Sequence, residues 1–265
     1  MKNQILHHLP GDHPWQNQIY WYDVIDSTNT QAKKLAAEGA PHGTVLIADR
    51  QTAGRGRLGR SFQSPAGMGI YMSVILRPDC PADQLMHLTC ATGVAMCDAV
   101  AASAGFCPDI KWTNDLIFQG RKLAGILTEL VTTSQGVCAV IGIGVNCCQQ
   151  ETDFDQDIRS FAGSLSMVTG TPIDRARVAA AMITHIHSMD KSLLTGKAAM
   201  MDRYRQHCIT VGQDICLIRS DQVQYGHAEG IDDSGSLLVR FPDGHLEAVN
   251  SGEVSVRGMY GYISY

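Results

Sequence analysis

Hydrophobic and polar positions alternate along this chain in two rhythms. The first runs from residue 19 to about 207 and mixes strand and helix periods. Residues 19–25, Ile-Tyr-Trp-Tyr-Asp-Val-Ile, are rich in β-branched and aromatic types and predict a strand. The polar quartet Asp26-Ser27-Thr28-Asn29 supplies side-chain oxygens suited to capping a helix that runs from 31 to a stop at Gly39. Strands follow at 44–48 and 70–76. A long helix is predicted over 81–104, with Leu85, Leu88, Thr92, Ala95, Met96, Ala99 and Val100 at helical spacing and Gly105 as its stop. The sheet resumes at 110–112, Asn114-Asp115 turns the chain, and 116–118 with 123–131 read as a hairpin about Gln119-Gly120. In the apolar run 137–145 the alternate glycines Gly142 and Gly144 imply that a ligand or another backbone lies against that strand. A polar stretch, 151–159, precedes helices over 173–194 and 198–207.

Near Cys208 the rhythm changes. Short runs at 214–219, 224–231, 237–241 and 253–257 are punctuated by the turns Asp233-Ser234-Gly235 and Pro242-Asp243-Gly244, the pattern of a small β-barrel. The expected division is therefore a first domain over 1–208 and a second over 209–265. Residues 1–18 carry no usable pattern, and they are too few for a helix-turn-helix module.

Composition narrows the function classes. With 21 Lys and Arg against 26 Asp and Glu the formal charge is −5, so the field of the whole molecule favours neither nucleic acid nor an anionic membrane. No apolar run is read as approaching the roughly 20 residues that span a bilayer, and the first residues lack a signal-peptide core, so a cytoplasmic protein is expected. Nine cysteines without a C-x-x-C pair form neither a disulfide nor a zinc framework, and are read as small free hydrophobes. His185 and His187 form H-x-H without a further ligand nearby and are read as ordinary helix residues.

Against this acidic background the stretch Gly54-Arg55-Gly56-Arg57-Leu58-Gly59-Arg60 stands out. Glycines let backbone N–H groups approach a ligand, and each guanidinium offers a planar fork matched to carboxylate or phosphate. The same residues spell G-x-G-x-x-G, but Ser64-Pro65-Ala66-Gly67 follows and cannot propagate the helix that a dinucleotide fingerprint must open. Three further groups fall at strand ends or turns: Ser27-Thr28-Asn29, Lys111 to Asp115 with Arg121-Lys122, and Gly142 to Asn146.

Together these motifs resemble the catalytic domain of biotin–protein ligases. The matches are D-S-T-N at 26–29, G-R-G-R-x-G-R at 54–60 followed by S-P-x-G at 64–67, K-W-x-N-D at 111–115, R-K-L-A-G-I-L-x-E-L at 121–130, and G-x-G-x-N at 142–146. The tail 252–257 resembles the last strand of the family's SH3-like C-terminal domain. The resemblance implies an α/β fold, a mixed sheet flanked by helices in the manner of class II synthetases, followed by that small barrel. It implies an ATP-dependent ligase that forms biotinyl-5′-AMP and passes biotin to a lysine of a biotin carboxyl carrier domain.

The site residues follow by motif match. Lys122 stands as the cation between the two reacting anions, with Arg57, Arg60 and Lys111 as its catalytic companions. Ser27, Thr28, Asn29, Gln51, Gly54, Arg55, Gly56, Arg57 and Lys122 are expected around biotin, where Gly142 and Gly144 leave room for the bicyclic ring. Arg60, Phe62, Lys111, Asn114, Asp115, Asn146, Glu253 and Arg257 are expected at the nucleotide, and Asp115 beside Mg²⁺. ATP and biotin are substrates, and no tightly bound prosthetic group is expected. The partner is a carrier protein, with neither sequence-specific DNA nor membrane, and the protein a monomer or homodimer.

Two positions depart from the family pattern. Thr113 stands where many relatives have proline, which loosens the turn, and Phe62 stands where many have tryptophan, which keeps an apolar lid. Two other readings stay open on the residues alone. A lipoate or octanoate ligase would want an apolar tunnel in place of Ser27, Thr28 and Gln51, and a nucleic-acid binder would want a second basic stripe.

Overall fold

The computed structural model describes residues 1–134, 136–219 and 222–250, together with the backbone of 255–257. In chain order the elements are α1 (Lys2–His8), β1 (Ile19–Ile25), α2 (Thr28–Ala37), β2 (Thr44–Gln51), β3 (Gly69–Leu76), α3 (Leu88–Ala104), β4 (Asp109–Lys111), β5 (Asp115–Phe118), β6 (Arg121–Thr133) and β7 (Gly136–Asn146). They continue as α4 (Leu165–Thr169), α5 (Arg175–Ser192), α6 (Lys197–His207), β8 (Asp214–Arg219), β9 (Gln222–Ile231), β10 (Leu237–Arg240), β11 (Leu246–Val249) and β12 (Ser255–Arg257).

Seven strands form one sheet in the order β1-β2-β3-β7-β6-β5-β4, with β1 and β2 parallel and the other neighbours antiparallel. This is the mixed sheet that the motifs implied. Because successive side chains on a strand point to opposite faces, the sheet sorts its residues by parity. On one face Ile70, Met72, Val74 and Leu76 of β3 and Ala139, Ile141, Ile143 and Val145 of β7 join one apolar core with α1, α3, α5 and α6. On the other face Leu46, Ile75, Cys138 and Val140 pack against Ala32 and Ala36 of α2. The second face is the smaller core.

The C-terminal strands form an antiparallel sheet in the order β11-β10-β9-β8-β12. Its turn at residues 232–236 rests on the first sheet's helices. Arg205 of α6 donates to the Ile231 carbonyl at 2.8 Å and pairs with Asp233, and the Trp112 indole N–H donates to the Gly235 carbonyl at 2.9 Å.

Several expectations are corrected in detail. The predicted helix over 81–104 splits into a 3-10 turn, Ala82–Leu85, and α3. By length and composition the stretch Ala82–Ala104 is apolar enough to cross a bilayer, contrary to the sequence reading, but 72% of its window is buried within this chain. It is a core helix, packed on α5 and α6. Helix α2 begins earlier than expected, at Thr28, because Ser27 takes the N-cap and its hydroxyl accepts from the Thr30 N–H. The N-terminal residues, unpatterned in sequence, form α1, whose Ile5 is buried with Leu9 and Trp15 in the larger core. Strand β11 also had no sequence signal: it is four residues long, with only Val249 buried. All nine cysteines are free.

Candidate active site

The face that α2 covers is not covered to its end. Beyond Asn29, toward the C-terminal half of β7, the strand turns from Cys138 and Val140 to Gly142 and Gly144, and a cavity of about 500 Å³ opens over the glycines. Ser27, Thr28, Asn29, Gln51, Arg55, Gly56, Arg57, Arg60, Phe62, Lys111, Asn114, Asp115, Lys122, Gly142, Gly144 and Asn146 all line it. Six elements or loops thus bring the sequence motifs to one place. Gly54 lies at the base of the arginine loop, where its carbonyl accepts from the Phe62 N–H at 2.9 Å. Glu253 lies outside the described residues, and of Arg257 only the backbone, in β12, is described.

The arginine loop folds as a small hairpin. Arg55 bridges to Ser61, Gly56 N–H donates to the Arg60 carbonyl at 2.7 Å, and a 3-10 turn at Arg57–Gly59 places Leu58 in the left-handed region at an exposed tip. No helix follows, as the rejection of a dinucleotide site requires. At the foot of the loop runs a polar relay. Gln51 Oε1 accepts from the Thr28 N–H at 2.9 Å and faces its hydroxyl at 3.1 Å, while Gln51 Nε2 donates to Ser64 Oγ at 2.8 Å and Ser64 Oγ donates to the Phe62 carbonyl.

Side chains of other elements also lie close against the two glycines. A Cβ on Gly142 would sit 2.1 Å from Asn29 Oδ1, and one on Gly144 would sit 2.5 Å from the Phe62 ring. The close neighbours are therefore side chains of this chain itself. Phe62 also packs edge-on to Tyr71, with ring centroids 6.3 Å apart.

The three asparagines expected to contact ligand have their amides committed inside the protein. Asn29 donates to Glu129 Oε2 at 3.0 Å and accepts from Ser73 Oγ at 2.6 Å. Asn114 accepts from Arg57 Nη1 at 2.9 Å and donates to the Ile126 carbonyl at 2.9 Å. Asn146 donates to the Gly163 carbonyl at 3.0 Å and accepts from Gln149 at 3.2 Å. Buried amides are costly to leave unpaired, so these bonds fix the three side chains in the walls of the cavity.

Cations in the site are matched to internal anions. The Lys122 ammonium lies 2.6 Å from Asp115 Oδ1, and Arg55 lies 3.7 Å from Glu129, which also takes Lys33 at 2.8 Å. Burial would raise the Glu129 carboxyl, but hydrogen bonds from Lys33 and Asn29 and the charges of Lys33 and Arg55 outweigh it and hold its pKa below the ordinary value. Burial pulls the Arg57 pKa down, opposed by Asp115. Lys111 is 8% exposed, a buried cation at the end of β4. Its turn is held on both sides: the Trp112 N–H donates to Thr210 Oγ1, and Tyr204 donates to the Thr113 carbonyl at 3.0 Å. The Thr113 carbonyl is thus held by Tyr204.

One wall was missed in the sequence. Phe154, Asp155, Asp157, Ile158, Phe161 and Ala162 also line the cavity. The segment is anchored on Lys122, whose backbone N–H donates to the Phe161 carbonyl at 2.7 Å and whose carbonyl accepts from Gly163 at 2.9 Å. The signal available was Phe154 and Ile158 set among acidic residues in a stretch read only as polar. Asp115, Asp155 and Asp157 offer the oxygen donors that Mg²⁺ takes together with substrate phosphates. Among the described residues no three carboxylates converge, so the set fits a metal carried in by a nucleotide better than a closed cage.

Comparison with known proteins agrees with this arrangement. The profile of the biotin/lipoate A/B protein ligase family matches residues 21–146, and that of the biotin protein ligase C terminal domain matches 210–257. The bifunctional ligase/repressor BirA of Bacillus subtilis is 37% identical over 243 residues, covering 91% of this chain and 74% of the relative. A biotin–[acetyl-CoA-carboxylase] ligase of Mycobacterium tuberculosis is 33% identical over 234 residues, covering 86% and 85%. Among solved structures, a biotin protein ligase from Aquifex aeolicus in complex with biotin and ATP superposes with a TM-score of 0.77 at 29% identity, covering 91% of this chain and 98% of that one.

Proposed function

This chain belongs to the biotin/lipoate A/B protein ligase family, and from that premise we propose that it is an ATP-dependent biotin–protein ligase. A biotin carboxylate oxygen attacks the α-phosphorus of ATP, the bond to the β-phosphate breaks, and pyrophosphate leaves with biotinyl-5′-AMP formed. The amine of a carrier-domain lysine then attacks the acyl carbon, and AMP leaves. The carrier partner is the biotin carboxyl carrier domain of a carboxylase.

The observation that carries this reading is the convergence, in one cavity, of an uncharged polar relay and a set of cations. Thr28 and Gln51, with Ser27, offer hydrogen bonds suited to the neutral ureido ring. Lys122, Arg57, Arg60 and Lys111 face the reacting end. Two unit anions 4 Å apart repel by about 4 kcal/mol at an effective dielectric near 20, so a fixed cation between them is the first requirement. Lys122 takes that role when a substrate anion displaces Asp115 from its ammonium. Lys111 and Arg60 meet the phosphates, Arg55 and Gly56 close the loop over biotin, and Phe62 forms an apolar side of the pocket over Gly144. Mg²⁺ held beside Asp115 supplies charge neutralisation of the triphosphate. Asn29, Asn114 and Asn146 act as positioning residues. Residues 1–208 form the catalytic domain and 209–265 a C-terminal domain that buttresses the Lys111–Asp115 turn through Trp112. The setting proposed is cytoplasmic.

The test is biotin-dependent exchange of pyrophosphate into ATP, followed by labelling of a purified carrier domain. Exchange driven by biotin and not by lipoate or octanoate is expected. Exchange driven by lipoate alone would replace this reading with the ligase of the related class.

A further inference from the structure

A second cluster lies behind the active site, on the far side of the turn that carries Lys111. Cys97 of α3, Cys107 of the link between α3 and β4, and His207 at the end of α6 bring one ligand atom each to within 4.8 Å of one another. The Cys107 Sγ to His207 Nδ1 distance is 3.9 Å, and both thiols donate to the Pro108 carbonyl, at 3.4 Å from Cys97 and 3.7 Å from Cys107. Among the described residues this is the group of three His, Cys or carboxylate side chains that converges. We propose that Cys97, Cys107 and His207 form a binding site for a soft divalent cation of the zinc class.

The donor set selects the ion. Two sulfurs and an imidazole nitrogen suit zinc, whereas magnesium or calcium would require oxygen. With Zn–S near 2.3 Å and Zn–N near 2.0 Å, tetrahedral ligand atoms stand roughly 3.5–3.8 Å apart, so the cluster needs to contract by about 1 Å. Two of its three members are placed to do so. Cys107 is exposed in the short link after the Gly105 helix stop, and His207 is the last residue of its helix. Asp98 of α3 is paired with Arg203 through both oxygens, at 2.6 and 3.0 Å, so its carboxylate is already committed.

The site would tie together three segments that position the nucleotide turn. Next to His207, Cys208 bridges Ile110 in parallel fashion, and the Ile209 N–H donates to the Ile110 carbonyl at 3.0 Å. Ile110 is followed directly by Lys111 and Trp112. A metal here clamps α3 and α6 to the start of β4 without touching substrate.

The full chain, reduced and stripped with chelator, is titrated with Co²⁺ as the probe. One equivalent should bind, with thiolate-to-cobalt charge-transfer absorption that Zn²⁺ bleaches. Cys107→Ser should lose that absorption, and His207→Asn should shift the d–d bands because a nitrogen ligand is replaced. Both positions are at least partly exposed, so both variants are expected to fold and to keep wild-type biotin-dependent exchange. Absence of charge-transfer absorption in the wild type, or its survival in Cys107→Ser, overturns the proposal. Recovery of Cys97 and Cys107 as a disulfide from protein isolated with reductant present also overturns it, in favour of a redox pair.

Discussion

The two faces of β7 share one backbone and one strand register but have opposite chemistry. Toward α3 and α5 the strand presents Ala139, Ile141, Ile143 and Val145, all buried among other aliphatic groups. Toward α2 it presents Cys138 and Val140 and then Gly142 and Gly144, where side chains of other elements approach almost to the backbone. One face stores stability and the other makes space. The difference shows that the site is built by subtraction: removing two Cβ atoms from an otherwise ordinary strand lets Asn29 and Phe62 come down to it and leaves a cavity beside them.

Four measurements would break or sharpen that contrast. Ile141→Ala removes buried apolar volume from the closed face and should cost about 2–5 kcal/mol of stability, read from denaturant midpoints, with the KM for biotin unchanged in the folded fraction. A KM that moves as much as stability would mean that the faces are not separate. Lys122→Ala, on the open side, should do the reverse. The rate of adenylate formation should fall by about 10²–10³, as for loss of one transition-state charge contact, with a smaller stability change than in Ile141→Ala. An unchanged exchange rate would remove Lys122 from the reaction.

Gly144→Ala places a methyl group 2.5 Å from the Phe62 ring and should cost about 1–3 kcal/mol through overpacking and displacement of the loop. Combining it with Phe62→Ala should recover most of that loss. Strict additivity in the double-mutant cycle would show that the two do not meet. The smallest effect concerns pH. Glu129 has its pKa depressed in the folded state, so its contribution is present above the ordinary carboxylate value near 4.3 and is lost as pH falls through the depressed one. Glu129→Gln should flatten the acid limb of the stability profile by about 0.2–1 kcal/mol, since the pair is partly exposed. An unaltered acid limb would mean that the Lys33–Glu129–Arg55 group contributes nothing measurable.

Much of this was legible in the sequence, for reasons that differ by residue. The strand at Ile19–Ile25 was readable to the residue because its composition is strongly β-forming and its ends are polar. Arg55, Arg57 and Arg60 were readable because no core accounts for cations interleaved with glycine. Asn29, Asn114 and Asn146 were expected at ligand and do line the cavity, but their internal hydrogen bonds were not legible, since spacing says where an amide lies and not what it bonds. The wall from Phe154 to Ala162 was missed because it has no regular period. It becomes part of the site only through backbone hydrogen bonds to Lys122, a contact between distant residues that no local pattern encodes. Helix α1 was missed for a related reason: its seven residues gain their place from burial of Ile5, Leu9 and Trp15 in the core.

The hydrogen bond from the Trp112 indole to the Gly235 carbonyl joins residues 123 positions apart. During synthesis at roughly 5–20 residues per second, Trp112 is added to the chain about 6–25 s before its acceptor. Through that interval the Lys111–Asp115 turn lacks one of its supports, and a buried indole N–H without an acceptor costs about 1–3 kcal/mol. The nascent chain therefore carries every motif of the cavity well before the turn is locked. A chain whose synthesis stops before Gly235 keeps the residues of the cavity without this contact to the turn.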